Sequence, residues 1–271
     1  MVDAATLLAA YDAQLRSDAE TPGALAVEPL GPVRIATFAE GRGFVSYRSL
    51  DDDGAPADAD RVRALVAAVA QHLRDDAAIT EAEWKTRAHD DAPGLYEALV
   101  QHGFEAEEPE SIMIGDAHLL AVDVPLPDGV TLRRITAEAD VRAMAAMCDE
   151  VFGEPRSDRH AEDLLRRQAH DPSMEMWVAE AGGEIVSAGR LEPVPGTEFA
   201  GIWGGATRPE WRGRGIYRAL TAARARSALA LGKRYLQSDS TEFSRPILER
   251  SGLVKVSETT PYVWRRERSA P

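Results

Sequence analysis

The sequence predicts an α/β (α+β) fold in two domains, and three observations predict it. Apolar residues at period two alternate along the chain with apolar residues at helical spacing, so strands and helices are interleaved. The stretch Val124-Pro-Leu-Pro-Asp-Gly129 puts two prolines, an acid and a glycine between two such series. It marks 125–129 as a linker between a domain at 1–124 and a domain at 130–271. The run from Trp203 to Leu220 passes from small and apolar residues, through a glycine-bearing turn, into a helical pattern.

In the first segment, residues 3–16 read as an amphipathic helix. Residues 33–38 and 43–48 alternate in the β manner around Glu40-Gly41-Arg42, a hairpin signal. Residues 51–60 are acidic and turn-rich. A helix follows over 60–74, with Val62, Leu65, Val66, Val69 and Leu73 on one face. Residues 78–88 read as a strand, 95–102 as a short helix closed by Gly103-Phe104, and 111–114 as a strand.

In the second segment, 130–135 reads as a strand, followed by helices over 137–151 and 158–170. Strands are expected at 174–181, 184–192 and 199–207, the first two joined by Gly182-Gly183. Pro209 blocks continuation of the third, because proline cannot donate to a ladder. A helix runs from Ile216 to Leu231 and stops at Gly232. Then come a strand at 234–238, a short helix at 244–251, and strands at 253–257 and 262–264.

Composition bounds the function classes. The chain has 271 residues, 44% of them apolar, and a formal net charge of −14. That charge argues against general nucleic-acid binding and against an anionic membrane surface. It is compatible with cationic amines, but reads first as plain solubility. The local contrast is sharper: residues 208, 212, 214, 218, 224 and 226 are arginines with Glu210 the one acid among them. Such an island fits a polyanionic small ligand. Cys148 is the only cysteine, so no intrachain disulfide and no cysteine-rich metal site forms, which suits a reducing cytoplasm. The six histidines show no metal spacing, and no run reaches the ~18 apolar residues that span a bilayer. The N-terminus lacks the basic start and apolar core of a signal peptide.

Within the opening stretch, Arg212-Gly213-Arg214-Gly215 supplies two residues that tolerate positive φ just before a helix. A helix start of this kind presents unpaired N–H groups and a positive dipole end, both of which favour phosphate. The Rossmann pattern fails, since Gly213-x-Gly215-x-x-Arg218 comes late and ends in arginine.

The run Arg212-Gly-Arg-Gly215-Ile-Tyr217 resembles the acyl-CoA pyrophosphate loop of the GNAT acetyltransferases, Arg/Gln-x-x-Gly-x-Gly/Ala. Arg212 and Gly215 match, and Tyr217 departs at the last small position. The order β-α-α-β-β-β-α-β-α-β over 130–265 is the order the resemblance implies. A faint repeat, Leu99-Val-Gln-His-Gly103-Phe104 against Leu248-Glu-Arg-Ser-Gly252-Leu253, suggests that the first half is a second, degenerate copy without the phosphate loop. The resemblance then implies two GNAT-like domains, each a mixed, mostly antiparallel sheet flanked by helices.

It also implies a reaction: transfer of an acetyl group from acetyl-CoA to a primary amine of a small molecule, by direct attack on the thioester and without metal. The amine must lose a proton, the carbonyl oxygen needs donors, and the leaving thiolate benefits from an acid. By this resemblance Gly205, Ala206 and Thr207 offer N–H groups to the carbonyl. Arg212, Gly213, Arg214, Gly215, Ile216 and Tyr217 hold the pyrophosphate, and Ser240 and Ser244 sit where CoA-facing polar groups lie. Serines after a strand also read as helix caps. The family's usual acid is a tyrosine four residues before the glycine that ends the last short helix, and here that position is Leu248. Tyr217 and Tyr262 are substitutes. For the base, Glu198, Glu192, Asp239 and Glu242 are candidates, each also readable as a solvated surface acid. Glu198, Asp239 and Tyr217 form the expected catalytic set. The alternatives are a non-catalytic acyl-CoA-binding regulatory protein and a transferase of another acyl group. A monomer or homodimer in the cytoplasm is expected.

Overall fold

The computed structural model describes residues 3–16, 18–51, 56–155 and 157–266, so the middle of the acidic run, 52–55, lies outside the described residues. In chain order the elements are α1 (Ala4–Gln14), β1 (Ala26–Leu30), β2 (Val33–Thr37), β3 (Arg42–Tyr47), α2 (Ala59–Asp75), β4 (Glu81–Lys85) and α3 (Leu95–Gln101). Next come β5 (Phe104–Ala106), β6 (Glu110–Asp116) and α4 (Ala117–Leu120). After the proline-rich linker follow β7 (Val130–Ile135), α5 (Glu138–Phe152), α6 (Arg159–His170), β8 (Glu175–Ala181), β9 (Glu184–Pro193) and β10 (Phe199–Thr207). The chain closes with α7 (Ile216–Ala230), β11 (Tyr235–Ser240), α8 (Arg245–Ser251), β12 (Val254–Thr259) and β13 (Pro261–Arg265).

The helical stripe expected on α2 is real. Val62, Val66, Val69 and Leu73 are buried against Val33, Ile35, Val45 and Trp84, and Leu65 packs at the margin. Periodicity could not reveal β1, because its residues are exposed or half-exposed and one of them is Pro29, an edge-strand composition. Nor could it reveal the four-residue α4 or the three-residue β5, each shorter than two repeats of its own pattern.

Two sheets organise the fold, and both are mostly antiparallel. The first has six strands in the order β1-β2-β3-β4-β13-β5, and the second has seven in the order β12-β6-β11-β10-β9-β8-β7. Each contains one parallel pair, β3 with β4 and β10 with β11. In each, a helix leads from the first parallel strand to the second, and a short helix ending at a positive-φ glycine, Gly103 or Gly252, follows it. The faint sequence repeat falls on this last corner of both halves.

The sheets do not divide at the expected 125–129 linker. Strand β6, from the first half, sits between β11 and β12 in the second sheet. Strand β13, from the second half, sits between β4 and β5 in the first. The run from Ser111 to Gly115 is buried on both faces, as a central strand must be. Its Ile112 and Ile114 join Leu7, Tyr11 and Leu15 of the α1 segment with Phe199 and Tyr235, while Met113 joins the cluster under α7 and α8. Helix α1 thus also packs on the second sheet. Two strands and one helix cross between the halves, and that makes the halves interdependent.

On the second sheet, α5 and α6 cover one face through Val141, Met144, Cys148, Ala161 and Leu164. Helix α7 covers the other through Ile216, Leu220, Ala225 and Ala228. The first sheet buries one face on α2 and α3. Its other face carries Lys85, which reaches Asp239 of the second sheet, and the β2–β3 turn carries Glu40, which pairs with Arg159 and Arg166 of α6. Among the described residues no helix is long and apolar enough to cross a membrane.

Candidate active site

The parallel pair β10–β11 is where the second sheet opens. Its register runs only from Phe199↔Tyr235 to Gly201↔Gln237, although β10 continues to Thr207 and β11 to Ser240. Past Gly201 the strands lose their pairing, leaving a gap between their C-terminal ends. On the other side of β10, Trp203 pairs with Arg190 and Ala206 with Ala188, so β10 carries one residue more than β9 between these pairs. That is a β-bulge, and its extra residue leaves the ladder and frees main-chain polar groups. Gly204 at φ +60 makes the kink.

Two side chains bracket the bulge from opposite faces. A Cβ built on Gly204 would lie 2.5 Å from Arg190 Nη1. A Cβ built on Gly205 would lie 2.5 Å from Tyr217 Cε2 and 2.6 Å from its hydroxyl oxygen. These glycines therefore permit a close approach that any other residue would block. Arg190 is steadied by Glu192, whose Oε1 accepts from Nε at 2.9 Å.

The expected phosphate loop forms as a loop. Gly213 and Gly215 have φ of +73° and +81°, and Gly215 caps α7. A Cβ on Gly213 would meet nothing within 4 Å. The N–H groups of Ile216, Tyr217 and Arg218 fall in the first turn of a 15-residue helix, where no preceding carbonyl serves them. Arg212 Nε donates to Thr207 O at 3.0 Å, which fastens the loop to the end of β10. The Arg214 guanidinium lies 4.9 Å from the Trp211 ring centre. Exposed Arg212, Arg214 and Arg218 surround this helix start. An anion meets free donors, a positive dipole end and three cations there.

Farther along α7, Arg224 is fully buried. Its Nη1 donates to Arg190 O at 3.2 Å, Nε to Leu220 O at 3.3 Å and Nη2 to Thr221 Oγ1 at 3.3 Å. Burial without a carboxylate partner lowers its pKa from the usual guanidinium range. Its guanidinium carbon is 5.6 Å from the Tyr217 ring centre. Sequence reasoning counted Arg224 in the arginine island, and its burial corrects that, because an arginine at helical spacing looks like any solvated charge. It did not find Arg190, which carries no local pattern.

The other expected site residues are dispersed. Thr207 Oγ1 is 2.7 Å from Ser187 Oγ, and Ala206 is buried with the α5 cluster. Ser240 is buried, with its hydroxyl 3.3 Å from Ser238 Oγ. Ser244 stands at the N-cap of α8, but its hydroxyl turns back to Thr241 O at 3.2 Å instead of capping an N–H. Leu248 is a buried core residue, so the family tyrosine has no counterpart at that place. Tyr262 stacks on Tyr96 in the first sheet, with ring centres 5.8 Å apart, and belongs to the core there.

Two members of the expected catalytic set are not brought to the bulge. Glu198 precedes the first residue of β10, whereas the loop follows the last, and a nine-residue strand spans roughly 25 Å. Its carboxylate accepts from Gln14 Nε2 at 2.9 Å, far from the gap. Asp239 lies beside the gap, but its Oδ2 is 2.5 Å from Lys85 Nζ and its Oδ1 accepts from Gln237 at 3.4 Å. A carboxylate held by an internal ammonium is committed to the domain contact. Alternation along a strand locates such an acid without disclosing a partner from another sheet. Glu242 is exposed in the β11–α8 connection.

Among the described residues no group of three or more histidine, cysteine or carboxylate side chains is arranged to hold a metal ion. A surface groove of about 610 Å³ lies away from this site, between β7, β8 and α7, lined by Leu132, Arg134 and Trp177.

A splayed parallel pair, a bulged strand and a glycine-opened helix are together the features of the GNAT fold. Residues 141–252 match the acetyltransferase (GNAT) family model. A search of curated proteins finds no match. Among solved structures, the chain is similar to a GCN5-related N-acetyltransferase from Kribbella flavida, at TM-score 0.67 and 16% identity, over 98% of this chain and 97% of that one. It is similar also to a tandem GNAT protein from the clavulanic acid biosynthesis pathway, at TM-score 0.62 and 16% identity, over 89% and 80%. A third is a GCN5-related N-acetyltransferase from Sphaerobacter thermophilus, at TM-score 0.62 and 17% identity, over 88% and 79%. The chain shares the fold of these structures, the tandem GNAT protein among them, and the stretch in its second half that matches the acetyltransferase (GNAT) family model is 141–252.

Proposed function

We propose that the protein is an N-acetyltransferase that moves an acetyl group from acetyl-CoA to a primary amine of a small molecule. One observation carries the reading: the bulge of β10, the β10–β11 gap and the donor-rich start of α7 all fall at one end of one strand. The fit to acetyl-CoA rests on the loop itself, where Gly213 and Gly215 keep the backbone uncovered and the first turn of α7 has donors to spare. Main-chain N–H groups from Gly213 to Arg218 hold the pyrophosphate, with Arg212, Arg214 and Arg218 supplying charge. Acetyl-CoA, when bound, supplies the activated acyl group.

The chain's own residues do the remaining work. Donors freed at Gly204–Ala206 orient and polarise the carbonyl. Tyr217, whose hydroxyl lies against Gly205, gives a proton toward the leaving sulfur, a role its place supports and Leu248 cannot fill. The amine enters from the α5–α6 face. There the first half, residues 1–124, contributes the cleft wall through β4 and the β2–β3 turn, and it has no phosphate loop of its own. A reducing cytoplasm suits the single buried Cys148. The protein works as a monomer or homodimer.

The test is free-thiol release from acetyl-CoA with a pooled amine library, against an R212A/G215D double variant. Release by the wild-type chain that the double variant abolishes supports the reading. A thermal shift with acetyl-CoA but no release from any amine favours the second reading, a non-catalytic acyl-CoA sensor. The burial of Leu248 at the usual acid position supports that one. Release from succinyl-CoA alone would reassign the acyl group.

A further inference from the structure

We propose that His160, oriented by Asp149, is the base that takes the proton from the acceptor amine, an inference that rests on the acetyltransferase reading above. Asp149 lies in the last turn of α5 and His160 in the first turn of α6. His160 Nδ1 stands 2.7 Å from Asp149 Oδ1. The Asp149 side chain is 8% exposed and the His160 side chain 32%. A buried carboxylate beside Nδ1 accepts that N–H and leaves Nε2 with its lone pair. Among the described residues Nε2 has no hydrogen-bond partner, and the second carboxylate oxygen, Asp149 Oδ2, is buried without one.

The neighbours of Asp149 place this pair on the Arg190 face of the second sheet, toward the end at which β10 exits. Helix α5 packs across β9 and β10. Cys148 is buried close to Arg190: burial pushes its thiol up to about 12 against the opposing pull of that guanidinium. Arg190 is the residue that touches Gly204. On the other side of Asp149, Glu150 Oε1 accepts from Arg208, just past the end of β10, at 2.8 Å. Asp149 is therefore pinned between a residue above Arg190 and one above the exit of β10. It stands on the α5 face, whereas Tyr217 reaches Gly205 from the α7 face. A base on one face and an acid on the other are what an amine and a thioester arriving from opposite sides require.

The step balances. His160 Nε2 takes one proton from the acceptor ammonium. The freed nitrogen pair forms the C–N bond at the thioester carbon, the C–S bond breaks, and its electron pair leaves on sulfur. The second nitrogen proton ends on that sulfur through Tyr217, and His160 returns its proton to water. Asp149 is a positioning residue, since it acts through the imidazole.

The experiment uses the full chain, acetyl-CoA and a pool of primary alkylamines. H160A is expected to lose about 100-fold in kcat/KM with an unchanged acetyl-CoA thermal shift, and added imidazole to recover about tenfold. A clamp that merely ties α6 to α5 would show no such recovery. If H160A unfolds in the assay, H160Q carries the same rate comparison. Proton NMR of the protein without acetyl-CoA supplies a second readout, a downfield Nδ1–H resonance lost in both H160A and D149N. A fall of less than about threefold, a loss that imidazole does not relieve, or a missing resonance in the wild type overturns the proposal and leaves the acetyltransferase reading standing. Wild-type protein that binds acetyl-CoA and acetylates nothing in the pool overturns both.

Discussion

Lys85 Nζ lies 2.5 Å from Asp239 Oδ2, and this contact ties β4 of the first sheet to β11 of the second. The side chains are 15% and 7% exposed. Burial opposes the Lys85 charge, but Asp239 and the acids around it outweigh that and hold the ammonium above the ordinary lysine range. Removing the carboxylate leaves a buried charge unmatched, so D239N should lose about 3–5 kcal/mol in urea unfolding. A K85M/D239L double variant should recover most of that, because two apolar groups desolvate without penalty. If D239N melts like the wild type but loses activity, Asp239 serves chemistry and not the domain contact.

The crossing strands predict the fate of the halves. Residues 130–271 alone lack β6, which leaves β11 and β12 without their shared partner and exposes Met113's place under α7. Expressed separately, that segment should be insoluble or molten, with ANS binding and no cooperative melt. Within the full chain, I114A should cost about 2–5 kcal/mol although it lies outside the stretch that matches the family model. A soluble 130–271 fragment that melts cooperatively would show the exchange to be dispensable.

Tyr217 and Gly205 should separate binding from chemistry. Y217F keeps the ring on Gly205 and removes only the hydroxyl. Its kcat is expected to fall by about tenfold or more with acetyl-CoA affinity kept, if the phenol serves the leaving sulfur. G205A instead drives the ring away, because the new Cβ would lie 2.5 Å from Cε2, and both kcat and affinity should suffer. Calorimetric binding beside steady-state kinetics reads the difference. Equal kcat for Y217F and wild type would remove the phenol from the mechanism.

Arg133 sets part of the acid limb of stability. It donates to Asp140 at 2.7 and 2.8 Å and to Glu180 at 2.6 and 2.9 Å, and these hydrogen bonds hold both carboxyls below their usual range. Depressed folded-state values mean stability that is present above the unfolded carboxyl range and lost as pH falls through the folded values. R133M should lower the melting temperature at neutral pH and converge with wild type in acid, the gap shrinking with salt. A gap that is constant with pH would assign Arg133's effect to packing.

Much of the second domain was legible because its signals are local. Strands 130–135 and 199–207 coincide with β7 and β10, and Gly213 and Gly215 take the positive φ their place before α7 demanded. The glycine-bearing loop was legible for the same reason, since its donors belong to consecutive residues. Glu198 misled because an acid beside a strand looks alike at either end, and only chain direction relative to the gap tells them apart. His160 and Asp149 sit eleven residues apart on two helices with a turn between them, so their pairing is set by how α6 folds back on α5.

By itself, then, the sequence determined the elements of the second half, the glycine-bearing loop before α7 and the absence of a tyrosine at Leu248. All of these depend on neighbours within a few residues, where backbone preference and side-chain period act directly. Only the tertiary structure decided that β6 and β13 change sheets, that Asp239 belongs to Lys85, and that Arg190 and Tyr217 close on the bulge from opposite faces. Those are contacts between segments far apart in the chain. Burying apolar faces selects such contacts for the chain as a whole, and no local pattern records the choice.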